Sequence, residues 1–111
     1  MKKRVVCKKS EEGYISPVEG LKRRTLVYGR NSLMIEVKLE KGTLLTLHKH
    51  PQEQAGYLIS GHLIFNIDGE KVEIHAGDSY CIPENLEHGV EAIEDSLVVE
   101  VFSPVREEFL P

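Results

Sequence analysis

The sequence predicts an all-β protein, a β-sandwich or barrel, and three observations predict it. No window of a dozen residues repeats its apolar positions at spacings of three and four, so no helical face is present. Ser32 to Leu39 alternates apolar and polar residues, the period of a strand with one buried face. Short β-prone runs then recur between Gly, Pro, Asp and Asn turn residues, the spacing of a sandwich or barrel.

The elements follow in chain order. The first thirty residues are less regular, with Arg24 to Tyr28 as an edge strand. Ser32 to Leu39 sets Leu33, Ile35, Val37 and Leu39 on one face and Met34, Glu36 and Lys38 on the other, and Glu40-Lys41-Gly42 turns the chain. Thr43 to His50 is the next strand, stopped by Pro51. Gly56 to Ile59 and His62 to Ile67 flank Ser60-Gly61, a tight-turn signal, and Asp68-Gly69 is a hairpin signal before Lys71 to Ile74. Ala76-Gly77-Asp78 turns again, and Ser79 to Ile82 runs up to Pro83. His88 to Ile93 and Leu97 to Phe102 read as a last pair joined by Glu94-Asp95-Ser96. The tail from Pro104 to Pro111 reads as a short turn or a strap across the barrel. With no linker, repeat or low-complexity segment, residues 1–111 are expected to form one domain, 1–30 being edge strands or an arm.

Composition narrows the partners. The longest apolar runs are a few residues, such as Leu97-Val98-Val99, whereas a membrane-spanning helix needs about 20, so no membrane partner is expected. Lys8 and Lys9 interrupt the basic start before an apolar region of signal-peptide length develops. Cys7 and Cys81 make neither a disulfide framework nor a zinc motif, and a reducing cytoplasm is the expected compartment. The net charge of -4 is uneven: nine Lys/Arg against three Asp/Glu through Arg30, five against fifteen after it. No aromatic residues interleave with the basic ones and no helix-turn-helix pattern follows, so no nucleic-acid partner is expected. The basic segment is expected instead as a solvated strand or an arm on the acidic body of its own or a partner subunit.

The chemistry concentrates in a few positions. His48 and His50 lie two apart on an expected strand, so both imidazoles face one point. Gln54 offers a neutral amide oxygen after the Pro51 turn, and His88 lies on a distant strand that a barrel can bring near. Glu100 interrupts the apolar run Leu97-Val98-Val99-Glu100-Val101-Phe102, and a carboxylate is rarely buried without a partner or a task. Val98, Glu100 and Phe102 share one face, which either lines the interior or looks outward with Glu100 solvated or paired with Arg106. His62 and His75 read as surface or loop histidines, Tyr57 as facing away from Gln54, Tyr80 as strand packing or a pocket mouth, and Cys81 as a core residue.

The joint spacing adds a resemblance. Gly42, five residues, His48-Lys49-His50, three residues, Gln54, six residues and Gly61 resemble the first cupin motif, with glutamine in place of the usual glutamate. Gly77, five residues, Pro83 and His88 resemble the second, with Asn85 for a glycine and Ala92 for a terminal asparagine. The motifs span residues 42–92. The resemblance implies a single-domain cupin, a double-stranded β-helix or jelly-roll barrel, often dimeric. It also implies one divalent metal ion, Zn, Ni, Mn or Fe, on His48, His50, Gln54 and His88.

The tail Glu100-Val101-Phe102-Ser103-Pro104-Val105-Arg106-Glu107-Glu108-Phe109 resembles that of the KdgF-type cupins, which carry aspartate where Glu100 stands. Those proteins open 4,5-unsaturated uronate sugars during pectin or alginate breakdown. The resemblance implies a sugar-acid substrate, with Glu100 as proton carrier, Arg106 on the sugar carboxylate and Phe102 packing the sugar. A dioxygenase of the quercetinase type and a non-enzymatic sugar-binding barrel are the alternative expectations.

Overall fold

The computed structural model describes residues 3–111. Nine strands are present: β1 (Leu21–Tyr28), β2 (Leu33–Leu39), β3 (Leu44–His48), β4 (Glu53–Ser60), β5 (His62–Ile67), β6 (Glu70–His75), β7 (Ser79–Ile82), β8 (His88–Ala92) and β9 (Ser96–Ser103). A 3-10 turn, Glu107–Phe109, follows in the tail. The strands form two antiparallel sheets, ordered β1-β2-β9-β4-β7 and β3-β8-β5-β6. This is a jelly roll. No ladder joins the two sheets among the described residues, so the expected barrel is an open sandwich.

Alternation builds the core. Leu33, Ile35, Val37 and Leu39 of β2 are buried, as are Val98, Glu100 and Phe102 of β9, the strand beside it. Leu58, Leu63, Phe65, Ile74, Ile82 and Val90 complete the apolar filling between the sheets. Full burial of a side chain of this size contributes about 1.5–3 kcal/mol, so these faces fix which side of each strand looks inward.

Several turns fall where the residues place them. Asp68 and Gly69 both take positive φ (50° and 85°) and close the β5–β6 hairpin. Asn85 holds φ 59°, a left-handed conformation that asparagine tolerates where the motif has glycine.

Three expectations are corrected. His88 to Ile93 and Leu97 to Phe102 do not pair: β8 lies between β3 and β5, and β9 between β2 and β4. Ser60-Gly61 likewise passes the chain from one sheet to the other rather than closing a hairpin. Gly61 lies so close to the β9 start that a Cβ there would stand 2.2 Å from Ser96 Oγ. Cys81 is exposed, because β7 turns Tyr80 and Ile82 inward and leaves the odd position outside.

The basic arm lies on its own body, though not on acidic surface. It pairs with the equally basic β1 through single bridges, Arg4 with Tyr28 and Ile15 with Arg23. Arg24 is buried beneath it and donates to the Lys8 carbonyl at 2.8 Å. Tyr14 of the arm donates to Glu36 of β2, and an ion pair has the charges reversed, the arm's Glu11 with Lys38 of β2 at 3.4 Å.

Candidate metal centre

His48 and His88 stand directly opposite each other on β3 and β8. β3 ends at His48, two residues short of the expected strand end, so His50 lies just beyond it, and the His50 carbonyl accepts from the Asn85 N–H at 2.8 Å. His50 therefore reaches the same point from the β3–β4 connection rather than by strand alternation. The donor nitrogens of His48, His50 and His88 lie within 4.8 Å of one another.

The hydrogen bonds set each tautomer. Nδ1 of His48 faces the Thr46 carbonyl at 2.9 Å, Nδ1 of His50 the Gln52 carbonyl at 2.9 Å, and Nδ1 of His88 the Leu86 carbonyl at 2.8 Å. A carbonyl only accepts, so each Nδ1 carries the proton and each Nε2 keeps its lone pair. Burial pushes the pKa of His50 and His88 below the usual histidine value, which favours this neutral form; the Arg106 charge adds to the effect at His50. The Nε2 of His88 is buried without any hydrogen-bond partner.

Gln54, at the start of β4, is buried and places an amide oxygen beside His50 as a candidate fourth donor. Its Nε2 donates to Glu100 Oε2, which turns its Oε1 toward His50 Nε2 at 3.1 Å. Both of those atoms are lone-pair acceptors, so the contact is unfavourable unless a cation sits between them. Two donors about 2.1 Å from one ion and at right angles stand about 3.0 Å apart. The orphaned His88 nitrogen and this acceptor pair both fit a divalent cation. All four side chains are uncharged, so none of them neutralises the ion.

Behind Gln54 lies the carboxylate. Glu100 is 8% exposed and faces inward, which settles the direction left open by the β9 pattern. Burial raises its pKa, against the hydrogen bonds from Tyr80 and Gln54, which lower it. Tyr80 donates its hydroxyl to the same Oε2, and burial, followed by the Glu100 charge, raises the phenol pKa and keeps it a donor. Gly56 makes that reach feasible. It sits between Tyr80 on β7 and Glu100 on β9, and a Cβ at Gly56 would stand 2.1 Å from the tyrosine ring. Tyr80 is thus a site residue that the sequence reading left between strand packing and a pocket mouth; the signal for its role was a glycine inside an otherwise regular strand.

A cavity of about 340 Å³ between the sheets is lined by His48, Gln54, His88, Glu100, Phe102 and Arg106, among others. Phe102 is fully buried and sets its ring edge-on to His50, centroids 5.6 Å apart. Arg106 does not pair with Glu100. It contacts Glu108 at 3.3 Å, and its guanidinium stands 5.0 Å from the Phe102 ring centre. The structure therefore brings the seven predicted site residues into one region, all of them but His50 lining the cavity.

Residues 35–104 match the model of the cupin domain. The chain is 35% identical over 94 residues to the pectin degradation protein KdgF of Dickeya dadantii, covering 83% of this chain and 86% of that protein. The structure of KdgF from Halomonas sp. superimposes with a TM-score of 0.90 at 29% identity, covering 96% of this chain and 99% of that one. A shorter match, 36% identical over 59 residues, is to the acireductone dioxygenase of Bacillus subtilis, with 49% of this chain and 33% of that protein covered.

Proposed function

The chain belongs to the cupin family, and from that premise we propose that it is a metal-dependent enzyme that opens or isomerises a 4,5-unsaturated uronate sugar to its linear keto form. His48, His50, Gln54 and His88 would hold one divalent ion. The observation that carries the reading is Glu100, a buried carboxylate hydrogen-bonded to the amide of the fourth donor, in one cavity with Arg106. The likeness to pectin degradation proteins along most of the chain supports the substrate class.

A bound ion supplies a Lewis acid that polarises substrate oxygens. The rest is work for the protein's own side chains. Gln54 and Tyr80 both donate to Oε2 of Glu100, so Oε1 is left for the substrate. Glu100 carries a proton between the sugar hydroxyl and carbon as the enol becomes a ketone, and burial, which raises its pKa, favours the form that holds that proton. Arg106 binds the sugar carboxylate with its planar fork. Phe102 holds the His50 ring and closes the cavity floor to water.

The test follows the absorbance of the conjugated double bond in an unsaturated galacturonate or guluronate monomer. Metal-loaded protein that consumes neither sugar rejects the reaction. Arg106→Lys keeps the charge but loses the fork, and is expected to raise KM more than it lowers the melting temperature. The second reading, a metal-dependent dioxygenase, has the shorter dioxygenase match in its favour. Iron or copper content with oxygen uptake would select it, and sugar binding without turnover would select the non-enzymatic binder. A homodimer is part of the proposal, checked by light scattering at moderate salt.

A further inference from the structure

Arg23, in the middle of β1, has no counterpart in the roles described so far. It lines the same cavity as Glu100 and Arg106. Its guanidinium lies 4.2 Å from the centre of the Phe109 ring, and that of Arg106 lies 4.2 Å from the same centre. Phe109 is itself tied to β1, because the Thr25 hydroxyl donates to its carbonyl. One aromatic ring from the tail therefore holds two cations at the cavity.

Their hydrogen bonding is incomplete. Nε of Arg23 and Nε of Arg106 are both buried without a partner. Among the described residues Arg106 contacts one carboxylate, Glu108, through Nη2, and Arg23 forms no ion pair. Two positive charges thus face a single negative one, and burial together with the Arg106 charge works against the charged form of Arg23. Such an arrangement is unfavourable in the empty protein and favourable around an anion. A guanidinium Nε–H forms one prong of the side-on fork that grips a carboxylate, and that prong is the free one on both arginines.

We propose that Arg23 and Arg106, bracing Phe109, form a two-arginine clamp for the carboxylate of the ligand in this cavity, with Arg23 deciding selection of the acid over the neutral sugar. The clamp rests on the sugar-acid reading for the identity of its ligand. Arg23 is a binding residue here and moves no proton.

The experiment titrates metal-loaded protein with D-galacturonate and, separately, D-galactose, which differ in carrying a carboxylate or a hydroxymethyl group. NMR or calorimetry reads the affinities of wild type, Arg23→Met and Arg23→Lys. Wild type is expected to prefer the acid. Arg23→Met is expected to lose about ten- to a hundredfold in affinity for galacturonate, the weight of one charged hydrogen bond, while galactose changes less than twofold. Arg23→Lys keeps the charge and ring contact but not the fork, and is expected to fall between; it carries the test if Arg23→Met does not fold. Equal losses for both sugars indicate a structural role and overturn the clamp, as does a wild type that does not prefer the acid. Arg23-dependent galacturonate binding with no consumption of the unsaturated sugars rejects the proposed reaction and leaves the clamp standing. Consumption with an unchanged KM in Arg23→Met does the reverse.

Discussion

The molecule carries two histidine clusters, and only one is organised for a metal. His62, Glu73 and His75 also bring three donor atoms within 4.8 Å of one another, on the outer face of the β5–β6 hairpin. Their contacts run among themselves and their neighbours: His62 Nε2 to Glu73 at 3.4 Å, His75 Nδ1 to Asp78 at 4.0 Å, and the two rings stacked 4.3 Å apart. No backbone carbonyl holds a ring nitrogen of either. The Glu73 and His75 side chains are 61% and 60% exposed, so water competes for each polar atom. In the cluster at His48, His50 and His88 all three Nδ1 atoms are committed to carbonyls, two of the rings are buried, and a further layer of Gln54, Glu100 and Tyr80 locks the fourth donor. Nearness of donors is common to both, and so is one buried ring nitrogen without a hydrogen-bond partner, His62 Nε2 in one and His88 Nε2 in the other; ring nitrogens held by backbone carbonyls, two buried rings and a supporting layer belong to one.

The contrast is broken most directly by deleting one histidine from each. His88→Ala is expected to lower metal affinity by well over the roughly hundredfold that loss of an outer partner costs, and to abolish turnover. Metal analysis after gel filtration checks it, with His75→Ala retaining the wild-type content. Equal loss in both variants would erase the distinction. Glu100→Gln tests the supporting layer: the rate is expected to fall about a hundredfold to ten-thousandfold with metal retained. Full activity would return Glu100 to a structural role.

Smaller effects sharpen the picture. Gly56→Ala forces Tyr80 off Glu100, and overpacking of this kind costs about 1–3 kcal/mol, read as a lower urea midpoint. Protonation probes the buried cluster as well. The folded pKa values of His50 and His88 lie below the ordinary 6.5, so in chelator-treated protein the stability they contribute is present above that pH. It is lost as pH falls through the depressed values, because the unfolded chain takes up protons that the folded one refuses. His50→Ala and His88→Ala combined should flatten that acid limb of the urea midpoint against pH. The smallest effect is expected at His75→Ala, within about 0.5 kcal/mol of wild type, as for an exposed position.

The histidine and glutamine set was singled out by motif spacing, and the shared face of Val98, Glu100 and Phe102 by alternation, but which side of β9 looks inward was left open and only packing decides it. Leu33, Ile35, Val37 and Leu39, the Asp68-Gly69 hairpin and the four residues of β7 were legible for the same local reasons. Strand partnership was not legible, since alternation says which residues of a strand share a face but not which strand lies alongside. Tyr80 was hidden because its role depends on a vacancy at Gly56, twenty-four residues away. Arg23 was hidden because a basic residue on an edge strand is ordinary until a distant phenylalanine folds against it.

β9 has one more consequence. It fills the middle of its sheet, between β2 and β4, although it is the last strand described. During synthesis β2, which pairs with β1, and β4, which pairs with β7, each keep one edge open for a partner that leaves the ribosome more than forty residues after His50. The carboxylate beside the fourth donor arrives with that same strand. A chain cut short before β9 would therefore lose a central strand rather than an edge, exposing two strands open to intermolecular pairing.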